Sequence, residues 1–158
     1  MGNRALVHFC DKEKIYPGIY LHWGGSYVAE YLVATEKRMK GREGDASYAT
    51  ARFCGIAHTK TEGNLSLGII DAPPGETREE QLDALRHPDY SHGDAGVFLV
   101  YVGQSLEWLV ETVGGYGFGP GLNEEGAWGM RIVRSAARRS RNERKARQNP
   151  AKLQAMAR

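Results

Sequence analysis

Cysteine is scarce in this chain of 158 residues: there are two, Cys10 and Cys54, far apart and outside any C-x-x-C spacing. That excludes a disulfide framework or a zinc ribbon and leads us to expect a reduced, cytoplasmic protein. Neither cysteine has a sequence neighbour that marks it as a nucleophile. Long apolar runs are also lacking; none approaches the roughly 18 residues that a membrane-spanning helix needs, so no membrane partner is expected. The opening Met1-Gly2-Asn3-Arg4-Ala5-Leu6 has no apolar signal region, and Leu6 stands where a myristoylation signal carries Ser or Thr. Paired metal-ligand spacings such as H-E-x-x-H do not occur. The glycine-rich run at 114–121 lacks both the Lys-Ser/Thr of a P-loop and the spacing of a dinucleotide fingerprint. Neither a metal nor a cofactor is expected.

Charge is present but unevenly spread. Residues 1–130 hold 11 Lys and Arg against 18 Asp and Glu, a net of −7, whereas residues 131–158 hold 10 against 1, a net of +9. An acidic body therefore carries a basic tail. Positive blocks of this kind are solvated and attract nucleic acid or acidic proteins. The tail residues expected to contact phosphates are Arg134, Arg138, Arg139, Arg141, Arg144, Lys145 and Arg147. Charges around the whole circumference would keep any helix there out of a core, and Asn149-Pro150 would break it.

The body is organised around Ile19 to Tyr27. Alternation places Ile19, Leu21 and Trp23 on one, apolar face of a strand and Tyr20 and His22 on the other. Gly24 and Gly25 allow a tight turn, and Ser26 is placed to cap the helix that follows. Strand, glycines and capped helix start would together make an anion cradle with His22 and Trp23 at its lip.

Before this stretch, Ala5, Val7 and Phe9 share one face of a first strand, and Pro17-Gly18 turns it into a hairpin with the second. Helical spacing runs from Tyr27 to Lys40. A second helix is expected from Ala46 to His58, with Asp45 as its cap and a stripe of Ala49, Phe53, Ile56 and Ala57. Arg52 falls on the flank of that helix, one turn from Tyr48, where a guanidinium can meet a carboxylate or phosphate. A third strand covers 65–70, with Gly68 marking a bulge or close approach. Thr77-Arg78-Glu79-Glu80 has capping-box spacing ahead of a short helix. Val97–Val102 and Leu106–Val113 form a final hairpin.

These elements predict an α+β fold, an antiparallel, hairpin-rich sheet of about five strands with two main helices on one face and a basic, partly helical C-terminal tail. Doubly wound α/β is the alternative. The domain reading is a globular unit over 1–113, a glycine-rich connector over 114–130 and the tail over 131–158.

Met1-Gly2-Asn3-Arg4-Ala5, Tyr20-Leu21-His22-Trp23-Gly24-Gly25, the pattern Y-A-x-A-R-F at 48–53, Leu65-Ser66-Leu67-Gly68 and His92-Gly93-Asp94-Ala95-Gly96 together resemble a family of small bacterial and phage proteins with no known activity. The resemblance spans residues 1 to about 110. The family pattern has Asn where this chain has Gly24, and Asp-Asn-Gly where it has Asp94-Ala95-Gly96, so two side-chain amides are missing here. The resemblance implies a phage or mobile-element setting and no reaction.

Two functions fit the residues. In the first the protein is a non-enzymatic accessory or regulatory factor whose tail binds nucleic acid or another polyanion. In the second the body is a small ligand-binding domain or enzyme acting on a phosphate- or carboxylate-bearing small molecule. Its catalytic candidates would be His22, His92 and Asp94, and its ligand-binding candidates Trp23, Gly24, Gly25, Ser26 and Arg52.

Overall fold

The computed structural model describes residues 3–60, 67–87, 90, 94–103 and 108–115. Among these residues five strands and three α-helices follow in the order β1 (Ala5–Cys10), β2 (Gly18–Leu21), α1 (Val28–Lys37), α2 (Ala46–Lys60), β3 (Leu67–Ile70), α3 (Arg78–Arg86), β4 (Gly96–Tyr101) and β5 (Leu109–Val113). The strands form one sheet in the order β3-β2-β1-β4-β5. The α+β class and the strand number are as the sequence predicts, and both hairpins are there: β1 pairs antiparallel with β2, and β4 with β5. The sheet is mixed rather than wholly antiparallel, because β1 and β4 run parallel from Ala5↔Gly96 to Cys10↔Tyr101. A parallel pair needs a long crossover, and the chain supplies one through α1, α2, β3 and α3.

The central pair explains the burial. All six β1 residues are buried, because the sheet is covered on both faces. On one face Ala5, Val7, Phe9, Ile19, Leu21, Phe98 and Val100 meet Val28 and Leu32 of α1 and Ala49, Phe53, Ile56 and Ala57 of α2. Phe9 lies edge-on to Phe53 at 5.5 Å and to Trp108 at 5.6 Å. Burying each of these rings contributes about 1.5–3 kcal/mol. On the other face Leu82 and Leu85 of α3 close over Leu6, Cys10, Val97 and Leu99.

The helix starts follow local chemistry. Asp45 Oδ1 accepts the Tyr48 amide at 3.1 Å, and Thr77 and Glu80 form the reciprocal capping box of α3. α1 and α2 lie antiparallel, with the Lys60–Glu30 ion pair near one end and Arg52 against Met39 near the other.

Three local expectations change. Gly68 sits in regular register opposite Tyr20, with open space where a Cβ would be, so it marks neither a bulge nor a close approach. Trp23 is half exposed rather than in the core. Alternation holds only while the chain is extended, and β2 ends at Leu21, two residues short of the indole. Ser26 does not cap α1: the helix begins at Val28 after a 3-10 turn over Gly25–Tyr27, and neither element has a side-chain cap. The tail over 131–158 lies outside the described residues, as does most of the connector, but Gly114 and Gly115 are packed against the fold.

Candidate functional site

The sheet has two edges of different character. At the amino edge, where β1 and β4 begin and β2 ends, Asn3-Arg4, His22 to Ser26 and Asp94-Ala95 meet. Asn3 donates its amide to the His22 carbonyl at 3.2 Å, and its own carbonyl accepts the Gly25 amide at 2.8 Å. The Asn3 side-chain amide donates to Ser26 Oγ at 2.8 Å. Arg4 continues the line: its amide donates to Asp94 Oδ2 at 3.1 Å, its Nε lies 3.4 Å from the same oxygen, and its carbonyl accepts the Ala95 amide. The Arg4 amide and guanidinium hold the Asp94 carboxyl below its ordinary value.

Two glycines are fixed here by space. A Cβ on Gly25 would stand 2.6 Å from Ala95 Cβ and 2.7 Å from the Asn3 carbonyl oxygen. Gly96, at φ +91°, would place one 2.2 Å from the Gly114 carbonyl oxygen. Gly24 has φ −97° and ψ 9°, a conformation open to any residue, and a Cβ there would meet its neighbours at an ordinary 3.5 Å, so of the Gly24-Gly25 pair only Gly25 is required by close packing and neither by unusual dihedrals.

This geometry bears directly on the expected anion cradle. The Gly25 amide, which would face an anion, is spent on Asn3, and the Ser26 hydroxyl is likewise engaged by Asn3. The backbone of residues 3 and 4 runs between His22 and Asp94, so the two share an edge with a strand extension between them. His22 lies half-buried with Nδ1 3.1 Å from the Tyr20 hydroxyl and its ring 4.8 Å from that of Trp23. Arg52 does not join them. It sits with Met39 near the far end of the α1–α2 pair, Nη1 3.4 Å from the Met39 sulfur, its guanidinium 5.3 Å from the Tyr48 ring. His92 lies outside the described residues. Among the described residues no group of three or more His, Cys, Asp or Glu could hold a metal ion, and no helix is long and apolar enough to cross a membrane.

The carboxyl edge was not singled out by sequence reasoning. A cavity of about 310 Å³ opens where β1 and β4 end, bounded by Cys10, Asp11 and Lys12 on one side, Tyr101 and Gly103 on the other, and Arg78 from α3. Burial pushes the Cys10 thiol up to about 12, with the Arg78 guanidinium pulling the other way, so the sulfur stays protonated. Glu111 Oε2 accepts the Tyr101 hydroxyl at 2.9 Å, and the two carboxylate oxygens take a forked pair from Arg86, which braces α3 against β4 and β5. The one sequence signal for this edge was Arg78 itself, a cation in the first turn of a helix, where the dipole disfavours it.

Neither a protein-family model, nor a curated protein, nor a solved structure matches this chain.

Proposed function

We propose that this chain is a small, non-enzymatic accessory or regulatory protein of the cytoplasm, of the phage or mobile-element type that the resemblance implies. Its basic segment 131–158 binds nucleic acid or another polyanion. The single observation that carries this reading is the partition of charge, +9 in the last 28 residues against −7 in the rest. A body of that sign repels the same ligand, which confines binding to the segment. The geometry of the amino edge supports it from the other side. Of the residues that a catalytic reading would use, Asp94 is committed to Arg4, Gly25 and Ser26 to Asn3, and Arg52 to the far end of the helix pair.

The test is salt dependence. Affinity for a short duplex should fall with a log-log slope of about −0.9 for each phosphate contacted. Replacing Arg138, Arg139, Arg141, Arg144 and Lys145 with Gln should flatten that slope, and His22→Ala should leave it unchanged. Undetectable binding at low salt, or binding that survives the five substitutions, would remove nucleic acid from the reading.

A further inference from the structure

At the carboxyl edge the connections leaving the two parallel strands diverge. β1 turns back into β2 on one side and β4 into β5 on the other, so the strand order reverses its sense between them. Crevices at such switch points, outside the carboxyl ends of parallel strands, are where open sheets hold ligands, because no connection crosses over them. The crevice here is bridged at its base by the Val102 amide donating to the Cys10 carbonyl at 2.9 Å. The cavity above it, about 310 Å³, is at the small end of ligand pockets.

Its charges are asymmetric. The Asp11 carboxylate is turned into its own loop, where it accepts the amides of Glu13 and Lys14 and the Tyr16 hydroxyl. Burial works against that carboxylate, but the two amides and the hydroxyl outweigh it and hold the pKa below its ordinary value. Arg78 is differently placed. Its side chain is 22% exposed, its guanidinium lies 5.5 Å from the centre of the Tyr101 ring, and its Nε is buried with no hydrogen-bond acceptor among the described residues. The rest of the guanidinium hydrogen-bonds the Cys10 thiol and pairs with the exposed Glu79 at 3.9 Å, a contact that water screens heavily. A buried, unsatisfied N–H on a cation costs stability, so its retention points to a group that satisfies it when present. Lys12 adds a second cation at the rim, and the protonated Cys10 thiol adds no negative charge. Two cations suit a dianion, and the Tyr101 ring, Val102 and Leu109 give an apolar wall for an organic group attached to it.

From this convergence we infer that the carboxyl edge is a binding site for a small phosphate monoester, with Arg78 donating to the phosphate oxygens and Lys12 closing over them. The site is separate from the basic segment and independent of what that segment binds.

The experiment uses the full chain, isotopically labelled, titrated with inorganic phosphate, adenosine 5′-monophosphate and, as a dicarboxylate control, succinate. Expected are saturable shifts of the Lys12, Arg78 and Gly103 amides with the two phosphate probes, retained when the five tail residues are replaced by Gln. Arg78→Gln should weaken the affinity about tenfold or more, as loss of a charge-assisted hydrogen bond does. The exposed Lys12→Gln variant, which leaves the fold intact, should weaken it about two- to fivefold. Three results would overturn the assignment: no shift at these amides, affinity unchanged in both variants, or succinate bound as tightly as the monophosphate. If binding vanished only in the tail variant, the phosphate would belong to the basic segment, which would also sink the site.

Discussion

The amino and carboxyl edges of one sheet have been put to opposite uses. At the amino edge the Gly25 amide donates to the Asn3 carbonyl, the Ser26 hydroxyl accepts the Asn3 side-chain amide, and two glycines leave no room even for a methyl group. At the carboxyl edge a cavity stays open and a guanidinium nitrogen goes unmatched among the described residues. Asn3-Arg4, His22 to Ser26 and Asp94-Ala95, from three of the sequence motifs, meet at the closed edge. Recognisable sequence here marks a demanding piece of architecture, the joining of β1, β2 and β4 by residues 3 and 4, and not in itself a ligand site.

The contrast breaks most visibly with a methyl group. Gly96→Ala must place a Cβ 2.2 Å from a carbonyl oxygen at positive φ, so it should cost about 3 kcal/mol or more. Gly25→Ala, at ordinary φ, should cost about 1–3 kcal/mol by overpacking. Gly68→Ala, facing open space in a strand, should be neutral or slightly stabilising. Urea denaturation of the three variants gives the order directly, and similar midpoints for all three would show that the amino edge is not packed as described.

Acid gives the next effect. The Asp94 carboxyl is lowered in the folded protein, so its contribution is complete above the unfolded value of about 3.9 and is lost as pH falls through the folded one. Asp94→Asn should therefore melt below the unmodified protein at pH 7, with the gap closing as pH drops below about 4. A gap that stayed constant across this range would mean that the variant acts through packing and not through charge.

The carboxyl edge should respond with the opposite sign. Arg78→Met keeps an unbranched side chain over Tyr101 and removes the unmatched donor, so stability should change by no more than about 1 kcal/mol, with any change a gain. A large loss would assign Arg78 to the fold rather than to a ligand. The comparison with Gly96→Ala then separates residues kept for architecture from residues kept at its expense.

Much of the fold was legible because it is written locally. The α2 stripe of Ala49, Phe53, Ile56 and Ala57 is buried as its spacing requires, the Thr77–Glu80 box caps α3, and the first hairpin is there, although the chain reverses at Asp11–Lys14 and not at Pro17-Gly18, which leads into β2. The parallel pairing of β1 with β4 was not legible, since it joins residues about ninety apart with nothing local to encode it. For the same reason the second buried face of β1 stayed hidden: Leu6 and Cys10 are covered by Leu82 and Leu85 from a distant helix. Arg78 was absorbed into a helix-start motif that accounts for its neighbours and not for its charge. Asp94 was legible as a polar residue of interest, but its partner Arg4, just ahead of β1, lies beside it in space and not in sequence.

The smallest expected effect concerns Trp23, where periodicity extended too far. Strand alternation assigns the indole to the face of Ile19 and Leu21, and those two are buried as assigned. Beyond Leu21 the chain bends toward Gly24, alternation lapses, and the indole is left 50% exposed with its neighbour His22 against it at 4.8 Å. A core tryptophan truncated to alanine typically costs about 3–5 kcal/mol, whereas a surface position changes stability by about 0.5 kcal/mol or less. Trp23→Ala should cost about 0.5–1 kcal/mol, the upper figure reflecting the indole's covered half, and should melt close to His22→Ala. Trp108→Phe supplies the contrast within the same chain, because Trp108 is buried against Phe9 and its loss opens a cavity that Trp23 cannot. If Trp23→Ala proved the more damaging of the two, the chain after Leu21 would have to continue as a strand, and the closed amino edge with it would have to be redrawn.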